Sequence, residues 1–168
     1  MLVDESGLSE RPHRVRTWAP RGQTPILQYH FNWQTLAVIA GMTFVHFYFQ
    51  LYEGTIKAPQ VLKFIAHSRR HLKGKPILLW DRLPAHRSRW VQDYLAGQQR
   101  IEPEGLPAYA PELNPLEYLW GQLKEHQVGN FCPDDLGQWS FVARRARRRL
   151  RRRRRIIACC WKQAKLPF

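Results

Sequence analysis

Three acidic side chains stand where chemistry could be done. Asp81 follows the continuous apolar run Pro76-Ile77-Leu78-Leu79-Trp80, which reads as a strand buried on both faces. A carboxylate leaving such a strand sits at the lip of its sheet, where open sheets place their ligands, and its oxygens could coordinate a hard cation. The same side chain could instead close the Arg82-Leu83-Pro84 turn by accepting from the backbone. Asp4 also follows an apolar pair, Leu2-Val3. If the two strands are parallel neighbours, both carboxylates converge at one sheet edge, where they could share metal ions about 3.5 to 4 Å apart and stabilise in-line attack at phosphorus. The rival reading for Asp4 is an exposed acid on a frayed terminus. Glu117 belongs to Asn114-Pro115-Leu116-Glu117, a helix start with Asn as N-cap, Pro first and Glu third, where the carboxylate would close a capping box. The first turn of a helix also holds a carboxylate rigidly enough to join an acid cluster. On the residues alone, capping stays ahead.

The elements that would position these acids follow from hydrophobic period. Leu2-Val3-Asp4 reads as the end of a short strand. Arg14 to Ala19 alternates as a second, closed by the turn Pro20-Arg21-Gly22. Thr35 to Leu51 reads as a hairpin with its turn at Gly41-Met42. Within it Val45, Phe47, Phe49 and Leu51 share one face, and His46, Tyr48 and Gln50 the other. After Gly54 the period becomes helical: Val61, Leu62, Ile65 and Leu72 recur, and Gly74 is the expected stop. Arg87 to Ala96 reads as a helix ending at Gly97, Ile101 to Leu106 as a fifth strand, Pro107 to Pro111 as a loop, and Asn114 to about Gln127 as another helix. From Pro133 onward Leu136, Trp139, Ala143, Ala146, Leu150, Ile157, Trp161 and Ala164 keep helical spacing, interrupted only at Arg151 to Arg155. Strands followed by alternating helices and strands predict an α/β fold, a mixed sheet with helices packed on it.

Composition narrows the class. The 168 residues suit one domain, and 27 Lys+Arg against 13 Asp+Glu give a formal charge of +14, which points to a polyanion partner. The imbalance is local: residues 141–168 hold 12 of the basic side chains and no acid, leaving 15 against 13 elsewhere. Ten of those twelve lie between Arg144 and Arg155. Close to a duplex they would neutralise phosphates without reading sequence; the alternative is a solvated terminal helix whose arginines repel each other. Three cysteines, two of them adjacent, make neither a disulfide framework nor a zinc ribbon. Met1 to Glu10 is not a signal peptide, and the apolar stretch Leu36 to Tyr52 is broken by His46 and Gln50, so no membrane span is expected. A cytoplasmic, DNA-associated protein fits these features.

The sequence also carries a family resemblance. Leu106-Pro107-Ala108-Tyr109-Ala110-Pro111-Glu112-Leu113-Asn114-Pro115-Leu116-Glu117-Tyr118-Leu119-Trp120, with Gly121 and Lys124 after it, resembles the third-acid signature of mariner-type bacterial insertion-sequence transposases of the DDE superfamily. Leu79-Trp80-Asp81-Arg82-Leu83-Pro84-Ala85-His86 is similar to the second-acid motif, and Val3-Asp4-Glu5-Ser6-Gly7, with Arg16-Thr17-Trp18 and Gly22, to the first. Thirty-five residues separate Asp81 from Glu117, and the similarity extends to Trp161-Lys162-Gln163-Ala164.

The resemblance implies a ribonuclease-H-like core, a mixed five-stranded sheet flanked by helices over 1–132, with an arginine-rich C-terminal helix over 133–168 packed on or next to it. It implies that Asp4, Asp81 and Glu117 are catalytic and hold two Mg²⁺ ions, with Mn²⁺ able to substitute. Such a site would nick DNA at transposon ends and then drive the freed 3′ hydroxyl into target DNA. His86, five positions past Asp81, would orient a metal ligand or phosphate, or be a surface histidine at a helix start; Asn114 would support Glu117. Glu5 and Glu112 match no catalytic position. His67 and His71, four apart beside Arg69 and Arg70, read as solvated. The DNA backbone would meet Arg144, Arg145, Arg148, Arg151, Arg152 and Arg155. The implied partners are double-stranded DNA, a second copy of the chain as a homodimer, and an upstream helix-turn-helix polypeptide, since family members carry such modules ahead of the core. With three residues before Asp4, the first strand is expected to be clipped. The chain is then a frameshift partner or a remnant, the latter a catalytically silent fragment acting only as a basic DNA-binding protein.

Overall fold

A computed structural model describes residues 1–29, 35–107 and 110–166. Residues Ala108 and Tyr109 of the third-acid segment lie outside them. The described chain forms β1 (Leu2–Ser9), β2 (Thr35–Met42), β3 (Phe47–Glu53), α1 (Ala58–Arg69), β4 (Ile77–Trp80), α2 (Arg89–Ala96), β5 (Glu102–Gly105), α3 (Pro115–His126), α4 (Leu136–Arg152) and α5 (Arg154–Gln163), with a short 3-10 turn at Pro111–Leu113. The five strands lie in the order β3-β2-β1-β4-β5. β1 pairs antiparallel with β2 and β2 antiparallel with β3, whereas β1–β4 and β4–β5 are parallel. This is the mixed α/β sheet flanked by helices that the sequence predicts.

Side-chain alternation along β1 assigns residues to two cores. Leu2 and Leu8 join Leu36, Val38, Ala40, Met42, Phe47 and Phe49 beneath α3, α4 and α5. Val3 joins Ile39, Leu78 and Trp80 beneath α1 and α2. Both faces of the central strands are therefore covered. The terminal arginine-rich segment belongs to the first core through Trp139, Ala143, Ala146, Leu150, Ile157, Cys160 and Trp161.

Several expectations are overturned. β1 does not end at Asp4: it runs to Ser9 and pairs with β2 over eight residues, from Leu2 opposite Met42 to Ser9 opposite Thr35. It matches β2 in length. Arg14 to Ala19 is not a strand. Both edges of β1 are already taken by β2 and β4, and Val15 instead exchanges its N–H and carbonyl with the Asn130 side-chain amide, each at 2.9 Å. The hairpin turn falls at Thr43–His46, closed by the Thr43 N–H to the His46 carbonyl at 2.9 Å. Gly41 lies inside β2, paired with Val3 and Tyr48, where a Cβ would come within 2.9 Å of the Met1 sulfur and 3.1 Å of the Phe64 ring. Val45 is consequently a turn residue, 57% exposed, rather than a partner of Phe47 and Phe49.

The terminal helix is two helices. Arg153, with φ −101° and ψ 74°, breaks it. The run Arg151 to Arg155 offers no apolar side chain to the core. Redirecting the chain there brings Ile157, Cys160 and Trp161 back under the sheet. α1 likewise stops at Arg69, before Leu72 and Gly74.

Candidate active site

Asp4, Asp81 and Glu117, drawn from mid-β1, the residue after β4 and the first turn of α3, line one cleft of about 700 Å³. The parallel register of Leu2 with Leu79 explains the convergence of the first two, since it sets Asp4 and Asp81 level on adjacent strands. Asn114 brings in the third. Its side chain accepts from the Leu116 N–H at 3.0 Å, while its own N–H donates to the Pro111 carbonyl at 2.9 Å. That second bond occupies the donor a capping box would need from Glu117. Among the described residues the Glu117 carboxylate has no hydrogen-bond partner and is exposed to the cleft. The capping role expected for it is therefore not adopted.

The environments of the acids differ. Asp4 is not a frayed terminal acid: it is 6% exposed and accepts from Trp120 Nε1 at 2.8 Å through Oδ2. Burial, together with the nearby charges of Glu117 and Glu5, pushes its pKa up to about 7 against the opposing Trp120 bond. For Asp81 burial acts in the same upward direction. Hydrogen bonds from His86 and the Leu83 N–H, and the His86 charge, outweigh it, so the pKa falls below the ordinary carboxylate value. The bond from Leu83 to Oδ1, 3.1 Å, is the turn closure that the sequence offered as the alternative reading. Both it and the 2.8 Å contact to His86 Nδ1 fall on Oδ1, which leaves Oδ2 for a cation.

His86 is not a surface residue. It is 1% exposed, stacks on Trp80 with ring centroids 4.3 Å apart at 8°, and lies between two carboxylates. Nδ1 meets Asp81 Oδ1 and Nε2 meets Glu5 Oε1, each at 2.8 Å. Burial alone would lower its pKa, but the bonds to Asp81 and Glu5 raise it to about 10. Glu5, which matched no catalytic position, is thus part of the site's support. Alternation sends it to the face of β1 opposite Asp4, where His86 waits 81 residues further along the chain. The sequence signal was available only as an acid beside an acid in an apolar strand. Glu112 is exposed, as are His67 and His71.

Two cations that the sequence reading did not single out, Arg82 and Arg87, line the acid cleft. The six arginines expected at a DNA backbone, Arg144, Arg145, Arg148, Arg151, Arg152 and Arg155, are all exposed and none lines that cleft. The arginines of α4 and α5 as a whole border more than one surface. Arg144 and Arg151 flank the β3 edge beside Arg147, which donates to the Phe49 carbonyl at 3.4 Å. Arg149 and Arg153 border α3 at Gln122, His126 and Gln127. Among the described residues, no helix is long and apolar enough to cross a membrane.

A carboxylate set of this kind suits hard, oxygen-seeking divalent ions, and a buried Asp4 next to an unpaired Glu117 is electrostatically short of a cation. The fold is that of the catalytic domain of Mos1 mariner transposase, with a TM-score of 0.57 at 16% identity over 99% of this chain and 83% of that one. The same domain solved with raltegravir and Mg matches at 0.52 and 17% identity, over 99% and 85%. The Mos1 transposase paired-end complex with left transposon end matches at 0.63 and 19%, covering 96% of this chain and 55% of that one. This chain therefore spans about half the length of the transposase chain in that complex. No curated protein matches the sequence. The family model described as DDE superfamily endonuclease matches residues 1–135, most of the chain, and the chain belongs to that family.

Proposed function

We propose that this chain is the catalytic unit of a transposase, a divalent-metal-dependent DNA endonuclease that also joins transposon ends to target DNA. The observation that carries the reading is the convergence of Asp4, Asp81 and Glu117 in one cleft with Arg82 and Arg87 beside them. Asp4, through Oδ1, Asp81, through Oδ2, and Glu117 would hold two Mg²⁺ ions, or Mn²⁺ in their place. When bound, such a pair supplies a low-pKa water or alkoxide nucleophile and neutralises charge on the phosphoryl oxygens.

The remaining work falls to the chain. Trp120 fixes Asp4 through its Nε1–H. The Leu83 N–H and His86 hold Asp81 through Oδ1. The N-cap of Asn114 sets the first turn of α3 and with it Glu117. Arg82 and Arg87 are placed to draw a phosphodiester toward the acids, and the arginines of α4 and α5 would supply affinity for the duplex backbone that does not depend on sequence. Recognition of the ends would come from a helix-turn-helix polypeptide, with two catalytic units acting on paired ends.

The test is a nicking assay on DNA carrying transposon ends, using the chain together with a helix-turn-helix module. Cleavage that requires Mg²⁺ or Mn²⁺ and disappears in Asp81→Ala, Asp4→Ala and Glu117→Ala is expected. Salt-sensitive binding without cleavage by the unsubstituted protein would instead make it a silent DNA-binding fragment.

A further inference from the structure

We propose that Glu5 and His86 form a positioning pair that holds Asp81 in the rotamer a cation needs, with neither residue acting as a ligand. This rests on the reading of the acid cleft given above. His86 lies against Asp81 Oδ1 on one side and Glu5 Oε1 on the other, both at 2.8 Å, and it also meets the Asp81 carbonyl at 3.0 Å. The imidazole thus grips both the side chain and the main chain of Asp81.

Its own orientation is fixed in turn. Trp80 stacks on it, the Gln92 side-chain amide donates to its carbonyl at 2.9 Å, and its N–H closes on the Leu83 carbonyl at 3.0 Å. Glu5 completes the clamp from a different strand. β1 therefore carries a candidate ligand on one face and, one residue later, the brace for the other strand's ligand on the opposite face. Movement of β4 relative to β1 would disturb both together.

Glu5, Asp81 and His86 also approach closely enough, within 4.8 Å of one another, to suggest a cation site of their own. Two features argue against it. Both imidazole nitrogens lie against carboxylate oxygens, which only accept, so each nitrogen donates an N–H and offers a metal no lone pair. Glu5, moreover, is not among the residues that line the acid cleft, whereas Asp4, Asp81 and Glu117 are. Partners of this kind, behind a ligand, tune affinity by about 10- to 100-fold.

The experiment is a Mn²⁺ titration of the full chain without DNA, following free Mn²⁺ by electron paramagnetic resonance, with thermal melting as a check on folding. Glu5→Ala and His86→Ala are each expected to raise the Kd at least about tenfold without lowering the number of ions bound. Glu5→Gln, which keeps an acceptor oxygen for His86, should stay within about threefold of the parent. The double variant should match His86→Ala, because Glu5 reaches Asp81 only through the imidazole.

If Glu5→Gln loses affinity as severely as Glu5→Ala and one ion is lost, Glu5 is a ligand and the proposal fails. It fails equally if Glu5→Ala lowers the melting temperature but leaves the Kd unchanged. Asp81→Ala in the same titration separates the two levels: equal binding by it and by the parent would overturn the acid-cleft reading itself. Should His86→Ala not fold, the Glu5→Ala and Glu5→Gln pair decides the matter.

Discussion

Asp4 and Glu5 are neighbours in one strand with the same charged group, yet they meet opposite surroundings. Asp4 faces α3, bonded to one indole N–H, with Glu117 nearby and its pKa pushed up to about 7. Glu5 faces the α2 side, where a buried imidazole meets it at 2.8 Å. On one face of β1 the carboxylate has another acid for a neighbour, and on the other it has an imidazole. The lesson is that a carboxylate's role here follows from what the opposite helix or turn delivers to it. The face where acid neighbours acid is the one open to the cleft.

The comparison breaks most visibly on the matched side. Glu5→Ala strands a buried imidazole beside a single carboxylate, and a loss of about 3 kcal/mol is expected in urea unfolding. His86→Ala should cost a similar amount, since it leaves Glu5 buried and unpartnered. A loss under about 0.5 kcal/mol for both would mean that the pair is solvated.

The unmatched side should respond in the opposite sense. Asp4→Asn keeps an acceptor for Trp120 and removes the buried charge, so the metal-free protein should gain about 2 kcal/mol at pH 8. Mg²⁺ should raise the melting temperature of the parent and lose most of that effect in this variant.

pH sharpens the contrast. An acid whose folded pKa is raised binds more protons folded than unfolded between about pH 4 and pH 7, so Asp4, facing Glu117, Glu5 and Trp120, makes the metal-free protein less stable as pH rises through that window. His86, raised to about 10 between Glu5 and Asp81, contributes stability that is intact below its unfolded value of 6.5 and is lost as pH climbs toward 10. Asp81, lowered, contributes stability present above its unfolded value of 3.8 and lost as pH falls through its folded value. Melting curves should therefore lose their alkaline slope in His86→Ala and their slope between about pH 4 and 7 in Asp4→Asn.

The smallest structural effect belongs to the arginines. Replacing the exposed Arg148 and Arg152 with Gln should change stability by less than about 0.5 kcal/mol. The same change should reduce the slope of log affinity for DNA against log salt by about 2 if both contact phosphates. An unchanged slope would move the DNA contact to another flank of α4.

Much of the architecture was legible in residue types. The apolar run before Asp81, the apolar run of β2, the alternation in β3, and Asn114-Pro115 at the start of α3 each carry a local physical signal. Errors came where pairing partners decide the outcome. Arg14 to Ala19 alternates well enough for a strand, but no edge of β1 is free to receive it. Gly41 looks like a turn, but it lies inside β2, paired with Val3 and Tyr48. The arginine run keeps helical propensity, yet its lack of apolar side chains lets the chain break at Arg153.

The site divides in the same way. The sequence by itself determined that Asp81 and Glu117 stand at element ends, that the positive charge is concentrated after residue 140, and which family the motifs resemble. Only the tertiary structure decided that Asp4 is buried in mid-strand, that Glu117 is left out of its helix cap, and that Glu5 and His86 pair across 81 residues. The physical reason is that period-two alternation assigns a side chain to a face of the sheet. What waits on that face, and so whether a charge is paired, desolvated or left seeking a cation, depends on strand register and on helices remote in sequence.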